Sequence, residues 1–480
     1  MGKKSIKKNY FFNVSYQILL LLTPFITTPY ISRVLGADGV GKVSYAESIV
    51  SYFALFAILG ISTHGQRAIS YVQSQKYERS VVFWNTKILE FFTSGLAFLA
   101  YLGLAIMKKS GLIYIILSIN ILSVFIDISW FFNGMEEFGK SVLRNALFKI
   151  LNIIYIFVFI KSKSDLAIYV FGLAIFTFLG NISMWWYLPR YICKVPFAEI
   201  HPFKDIKIVL SLFIPTVAIQ IYTVLDKTMI GIITKDAFEN GYYEQALKLS
   251  KIVLMVVASL GTVMIPRIGF YYKNGDEDEV KKLMYRGYHF VWFLGIPLCF
   301  GLMMISKTFV PWFFGDGYEK VVILLRILSI LILAIGINNV TGMQYLIPTE
   351  RQNIFTLTVI IGAVTNLMLN ALLIPKLQSI GAAIASITAE SVIAIVQLIF
   401  VRREISPCQV IKEGKSYFMA GIVMLMPLLI ESVIFDSSFL NTVIMVITGI
   451  IVYMGVLLIV KDEFLLNNIQ TILKKIFMKC

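Results

Sequence analysis

About fourteen apolar segments, each long enough to cross a bilayer, succeed one another along the chain with little sequence between them. A transmembrane helix needs roughly 20 mostly apolar residues. Segments of that kind fall near residues 10–32, 43–63, 85–107, 112–133, 142–160, 166–188, 207–233, 245–266, 286–306, 321–345, 354–374, 380–401, 416–434 and 440–460. The first is interrupted by Pro24 and Pro29, and the eighth carries Lys248 and Lys251. Over 480 residues, 58% are hydrophobic and 15% charged, whereas soluble domains run nearer half apolar and a quarter charged. The expected fold is an all-α polytopic membrane protein whose solvent is lipid.

The short loops orient these spans. The chain has 43 Lys plus Arg against 28 Asp plus Glu, and no basic domain lies outside the apolar segments to hold a nucleic acid. With the N-terminus inside, about 29 of the Lys and Arg fall on the cytoplasmic side, about 10 outside and about 4 within spans. The inside loops include 67–87, 140–149, 190–207, 267–286 and 402–415. Both termini are therefore expected in the cytoplasm of a bacterial inner-membrane protein. Lys3, Lys4, Lys7 and Lys8 precede the first apolar run as in a signal peptide, but no small-residue cleavage site follows, so the run reads as an uncleaved helix. Residues 464–477 place Leu465, Ile469, Leu473 and Ile476 on one helical face among lysines, the pattern of a helix lying on the inner surface. Cys193, Cys299, Cys408 and Cys480, and likewise His64, His201 and His289, are too scattered for a disulfide framework or a metal cluster.

An internal repeat organises the spans. Gly41, Ala46 and Arg67 recur as Gly241, Ala246 and Arg267, at an offset of 200 residues. Gly134, Met135 and Asn145 recur as Gly342, Met343 and Asn353, at an offset of 208. Each landmark occupies the same place in a six-helix half, and an even number of helices gives both halves one orientation. Two six-helix bundles, residues 1–188 and 207–402, would then be related by a pseudo-two-fold along the membrane normal, with the site between them. A cytoplasmic linker at 189–206, two further helices within 403–460 and the tail 461–480 complete the chain. Pro24 and Pro215 sit in the opening helix of each half, where each removes a backbone hydrogen bond and makes a candidate hinge.

Charges at membrane depth cost about 2.5–3.5 kcal/mol each on insertion scales, so they face partners or an aqueous cavity. The candidates are Asp127, Asp226, Lys227, Lys248, Lys251, Arg326 and Glu390, with Glu47 and Glu90 in addition. Lys248 and Lys251 share one helical face. Several cations together suit phosphates and acidic sugars. Two enzyme-like strings carry less. Residues 36–42 follow a P-loop pattern, but Val43 stands where a magnesium-binding Ser or Thr belongs, and the segment follows a helix. Asp276, Glu277 and Asp278 precede Lys281 and Lys282 after a turn, the ordinary charge order of a helix start.

The sequences RVLGADGVGKVSYAESIVSYFALFAILGISTHGQRAIS (33–70), DISWFFNGMEEF (127–138), LDKTMIG (225–231), NGYYEQALKL (240–249) and GMQYLIPTERQN (342–353) together resemble polysaccharide-biosynthesis flippases of the Wzx type. The resemblance covers nearly the whole chain. Asn133 departs from the Gln common at that place, and Lys42 and Glu47 lie at variable positions. These flippases belong to the multidrug/oligosaccharidyl-lipid/polysaccharide exporter superfamily. The resemblance implies a transporter, not an enzyme, that carries undecaprenyl-diphosphate-linked oligosaccharide to the outer leaflet by alternating access for capsule, exopolysaccharide or O-antigen synthesis. On that reading Arg33, Lys227, Lys248, Lys251 and Arg326 face a central cavity and hold phosphate or acidic sugar, while Arg67 and Arg267 receive the head group at the inner mouth. Asp127, Asp226 or Glu390 would carry a coupling H⁺ or Na⁺, with no other cofactor. Partners would be membrane lipids and the polymerase and glycosyltransferases of the same pathway. The rival readings are a lipid II flippase, a drug or cation antiporter of the same superfamily, for which a more acidic cavity is expected, and a repeat-unit polymerase or sugar transferase, for which a polymerase's large outer loop is missing.

Overall fold

The computed structural model describes residues 6–107, 111–259 and 261–466, without the side chains of 6–16, 138, 214–216, 218–219, 221–222 and 262–263. Its contacts divide the chain into two compact units, one up to Gly231 and one from Ile232. The tail expected along the membrane surface falls mostly beyond residue 466, outside the described residues.

The first unit begins with α1, Ile6–Ile58, which joins the first two expected spans. Its single non-helical residue is Gly36, at φ 69° and ψ 174°. That backbone conformation is essentially reserved for glycine, so the turn between the two spans is written into one residue. Pro24 and Pro29 lie within helical stretches of α1. Then follow α2 (Ile61–Tyr71), α3 (Lys76–Met107), α4 (Gly111–Ile126), α5 (Ser129–Gly134), α6 (Phe138–Phe159), α7 (Leu166–Ser183) and α8 (Ile206–Thr234), whose end crosses into the second unit. Pro215 is within α8, but its side chain is outside those described.

The second unit continues with α9 (Ala237–Ala258), α10 (Gly261–Lys273), α11 (Glu277–Phe314), α12 (Glu319–Leu328) and α13 (Leu331–Asn338). A π-helical stretch, Asn339–Leu346, leads to α14 (Gln352–Leu377), α15 (Ser379–Phe400), α16 (Pro407–Glu413), α17 (Lys415–Ile434) and α18 (Phe439–Ile459). The described residues contain no strand. The Asp276 carboxylate accepts the Glu279 N–H at 3.1 Å and caps α11, so the acidic triplet stands at a helix start, as its charge order implies.

Eleven segments among the described residues are long and apolar enough to cross a membrane, against the fourteen expected. One of the eleven, Gln17–Tyr71, runs 55 residues and covers two expected spans. The seventh and eighth expected spans are occupied by α8, part of whose side chains are not described, and by α9, which carries Glu239, Glu244, Lys248 and Lys251. The eighth, 245–266, divides into α9 and α10, and the span expected at 112–133 breaks at Asp127 and Ile128. Stretches expected as inner loops are largely helical; 267–286, for example, lies in α10 and α11 except at 274–276. Residues 76–87 open α3, and 140–149 lie in α6.

Packing explains how apolar helices associate without a hydrophobic drive between them. Small residues let backbones approach, and van der Waals contact follows. A Cβ on Gly362 would fall 2.3 Å from Ile393, and one on Gly381 2.6 Å from the Leu373 backbone, so α14 and α15 need glycine at both contacts. In the first unit Gly65 of α2 lies under the Trp130 ring, where a Cβ would come within 2.6 Å. Large apolar side chains face outward elsewhere, with Leu99 66%, Val433 73% and Ile459 81% exposed. Such surfaces are at home in lipid and would aggregate in water.

Candidate functional site

The expected site residues are distributed over both units. Arg33, Arg67, Asp127, Asp226 and Lys227 belong to the first; Lys248, Lys251, Arg267, Arg326 and Glu390 belong to the second. Arg33 and Arg67 are exposed, Lys227 is half-buried and Asp226 is buried. On α9, Lys248 is half-buried and Lys251 exposed. Arg267 is exposed on α10. Arg326 lies in the last turn of α12, and its Nε is buried without a hydrogen-bond acceptor. Glu390 is buried on α15 and accepts from Asn338 Nδ2, through both its side chain and its backbone carbonyl.

The most developed charge cluster is in the first unit, at the break between α4 and α5. Asp127 stops α4 and starts α5: its carboxylate accepts the Ser129 N–H at 2.8 Å and the Ser129 hydroxyl at 2.9 Å. The Asp127 carbonyl receives Lys87 Nζ at 2.7 Å. Lys87 also pairs with Glu90, one turn along α3, at 2.8 Å, and these side chains are 0% and 1% exposed. Trp130 Nε1 donates to the same Glu90 oxygen at 3.3 Å. The ammonium further lies 4.9 Å from the Phe91 ring centre and 5.7 Å from that of Trp185. Every element here supplies one part: α3 the ion pair, the α4 break an acceptor, α5 a donor.

Sequence reading missed Lys87, which counted as part of an inner loop. A signal was present: Ser80, Thr86, Lys87, Glu90 and Ser94 recur at helical spacing and are all buried, so α3 turns a polar stripe inward. The tally of loop charges could not register a lysine inside a helix.

A first opening lies at the end of α2. Arg67, Gln66, Ser70, Gln73, Asn133 and Glu136 are among the residues around a cavity of about 400 Å³. Arg67 Nε donates to the Tyr71 hydroxyl at 2.6 Å, which steadies the guanidinium. Gln73 Nε2 donates to the Gly134 carbonyl at 2.7 Å and ties α2 to the end of α5. This cavity unites Arg67 with the Asn133–Glu136 motif, two parts of the sequence some seventy residues apart.

The model of the polysaccharide biosynthesis protein family matches residues 6–271, more than half the chain. The chain belongs to that family. This agrees with the resemblance carried by the quoted motifs. Relatives include proteins provisionally named O-antigen transporters in Shigella dysenteriae, 25% identical over 72% of this chain and 87% of that one, and in Escherichia coli K12, 24% identical over 84% and 98%. The capsular polysaccharide biosynthesis protein CapF of Staphylococcus aureus is 23% identical over 83% of this chain and 99% of its own. Among solved structures, the lipid II flippase MurJ in an inward closed conformation aligns with a TM-score of 0.74 and 19% identity, covering 95% of this chain and 100% of that one. An inward-facing MATE multidrug transporter of the MOP superfamily aligns at 0.59 with 13% identity, covering 82% and 96%. At these identities the likenesses establish the fold: this family member is a multi-pass helical membrane protein built like those transporters.

Proposed function

We propose that the chain is a flippase that moves undecaprenyl-diphosphate-linked oligosaccharide repeat units from the cytoplasmic to the outer leaflet by alternating access. It serves the synthesis of a capsule, exopolysaccharide or O-antigen in a bacterial inner membrane, with both termini cytoplasmic. The observation that carries this reading is the Arg67 cavity, a cation-bearing opening lined by polar residues in a lipid-adapted helical unit of this family. A diphosphate needs cations, the glycan needs a wet path, and the polyprenyl tail stays in the bilayer. Arg67 and Arg267 receive the head group; Arg33, Lys227, Lys248, Lys251 and Arg326 hold phosphate or acidic sugar along the path. Asp127, Asp226 or Glu390 carries the coupling H⁺ or Na⁺, and Pro24 and Pro215 serve as hinges. Polymerase and glycosyltransferases of the pathway would act on either side of the step.

The family relatives favour this cargo over lipid II, whose flippase shares the fold. The test replaces each of the seven cations with Ala in the native host and measures surface polymer. Loss of polymer with normal growth in the Arg67 and Arg267 variants is the expected outcome. Unchanged polymer in all seven would remove the site assignment, and arrest of cell-wall synthesis on deletion would favour lipid II as cargo.

A further inference from the structure

The first unit contains a second and larger cavity, about 540 Å³, bounded by α1, α4, α6 and α7. Its size lies within the usual range of small-molecule sites. Arg144, on α6, reaches into a frame of amides: its Nε donates to Asn145 Oδ1 at 2.9 Å and its Nη1 to Asn181 Oδ1 at 3.3 Å. Asn181 is itself fixed, because its Nδ2 donates to the Ser123 carbonyl at 2.8 Å. Asn152, two turns from Arg144 on the same helix, also lines the cavity and is 6% exposed. Its Nδ2 has no hydrogen-bond acceptor. A buried amide donor is rarely left unmet, and the residue that carries this one is part of the cavity wall.

The remaining lining narrows the ligand. Glu47 and Asp127 offset Arg144 and Lys149, so formal charges balance and the cavity is no simple anion trap. It offers carboxylate and amide acceptors beside guanidinium and amide donors, and the Phe148 and Phe176 rings add apolar surface. Alternating hydroxyl groups, each both donor and acceptor, match such a lining, and the C–H face of a pyranose matches an aromatic ring. A polyprenyl tail would leave these polar groups unpaired, and a bare diphosphate would meet two carboxylates. We propose that this cavity binds sugar residues of the cargo's glycan, so that the first unit reads the saccharide independently of the diphosphate. The proposal rests on the flippase reading and adds to it a place for the glycan.

The test uses the purified full chain in detergent and two probes. One is the free oligosaccharide released by mild acid from the host's lipid-linked repeat unit; the other is decaprenyl diphosphate. Asn152→Asp removes the unmet donor with almost no change of shape, and Asn152→Leu removes all polarity. Both variants are expected to bind the oligosaccharide about tenfold more weakly, the scale of one lost hydrogen bond, with decaprenyl diphosphate affinity unchanged. Thermal unfolding of each variant, compared with the parent, separates a folding defect from a binding defect. Oligosaccharide affinity within twofold of the parent in a folded Asn152→Asp variant would overturn the proposal, as would equal loss for both probes. The flippase reading fails separately, if deletion of the gene leaves surface polymer intact.

Discussion

Two lysine–glutamate pairs, one in each unit, use the same chemistry in different surroundings. Lys87 and Glu90 are neighbours on one helix, 2.8 Å apart and essentially unexposed. Glu239 and Lys320 come from α9 and α12, at 2.6 Å, with side chains 6% and 24% exposed. Each pair also satisfies backbone groups that have lost a helical partner. Lys87 donates to the carbonyl of Asp127, where α4 stops. Glu239 accepts the Ser379 N–H at 3.1 Å and its hydroxyl at 2.6 Å, where α15 starts, and Lys320 reaches Gln378 at 2.8 Å. The shared lesson is that both pairs serve the end of a neighbouring helix, because orphaned backbone groups are costly away from water. The difference is hydration. The first pair is dry and depends wholly on its partners, whereas Lys320 retains access to solvent.

Breaking the pairs separately sharpens that contrast. Glu90→Ala leaves an ammonium buried and is expected to cost about 3–5 kcal/mol, read as a large fall in unfolding temperature in detergent. Lys87→Met combined with Glu90→Leu should recover most of that loss, since the charge leaves with its partner; only the Asp127 carbonyl and Trp130 indole then lack mates. No recovery in the double variant would mean that the ion pair does more than neutralise itself. Glu239→Ala should cost less, about 1–3 kcal/mol, because Lys320 can be hydrated while the Ser379 donors are left unmet. A loss equal to that of Glu90→Ala would erase the distinction drawn between the two surroundings. The smallest effect belongs to Arg351 and Glu404, paired at 2.9 Å with both side chains about a third exposed. Arg351→Ala is expected to shift stability by about 0–1 kcal/mol, and raising the salt concentration should shrink even that difference.

Much of the fold was legible because long apolar runs admit few structures in lipid. The helices, the helix start at Asp276 and the family motifs followed from pattern alone. Interruptions did not. Hydropathy averages over about twenty residues, so it runs through Asp127 and Ile128, where α4 breaks, and through the gap between α9 and α10. The turn at Gly36 lay inside a string read for its likeness to a phosphate loop, although its glycine had a backbone reason. The cluster at Lys87 stayed hidden for a related cause: its meaning depends on Asp127 and Trp130, some forty residues away, which only tertiary packing brings together. Arg144 was likewise passed over, because part of α6 reads as a basic loop, and Asn152 because it is an uncharged residue within an expected span.

The central claim is transport of a lipid-linked glycan, and reconstitution tests it most directly. The purified chain would be placed in liposomes carrying a fluorescent undecaprenyl-diphosphate oligosaccharide in the inner leaflet alone, with a lectin outside and an imposed H⁺ or Na⁺ gradient. Lectin capture that rises with time, depends on the chain and is reduced in the Arg67→Ala variant is the predicted result. Capture no faster than in protein-free liposomes, under either gradient and with a correctly folded chain, would contradict it.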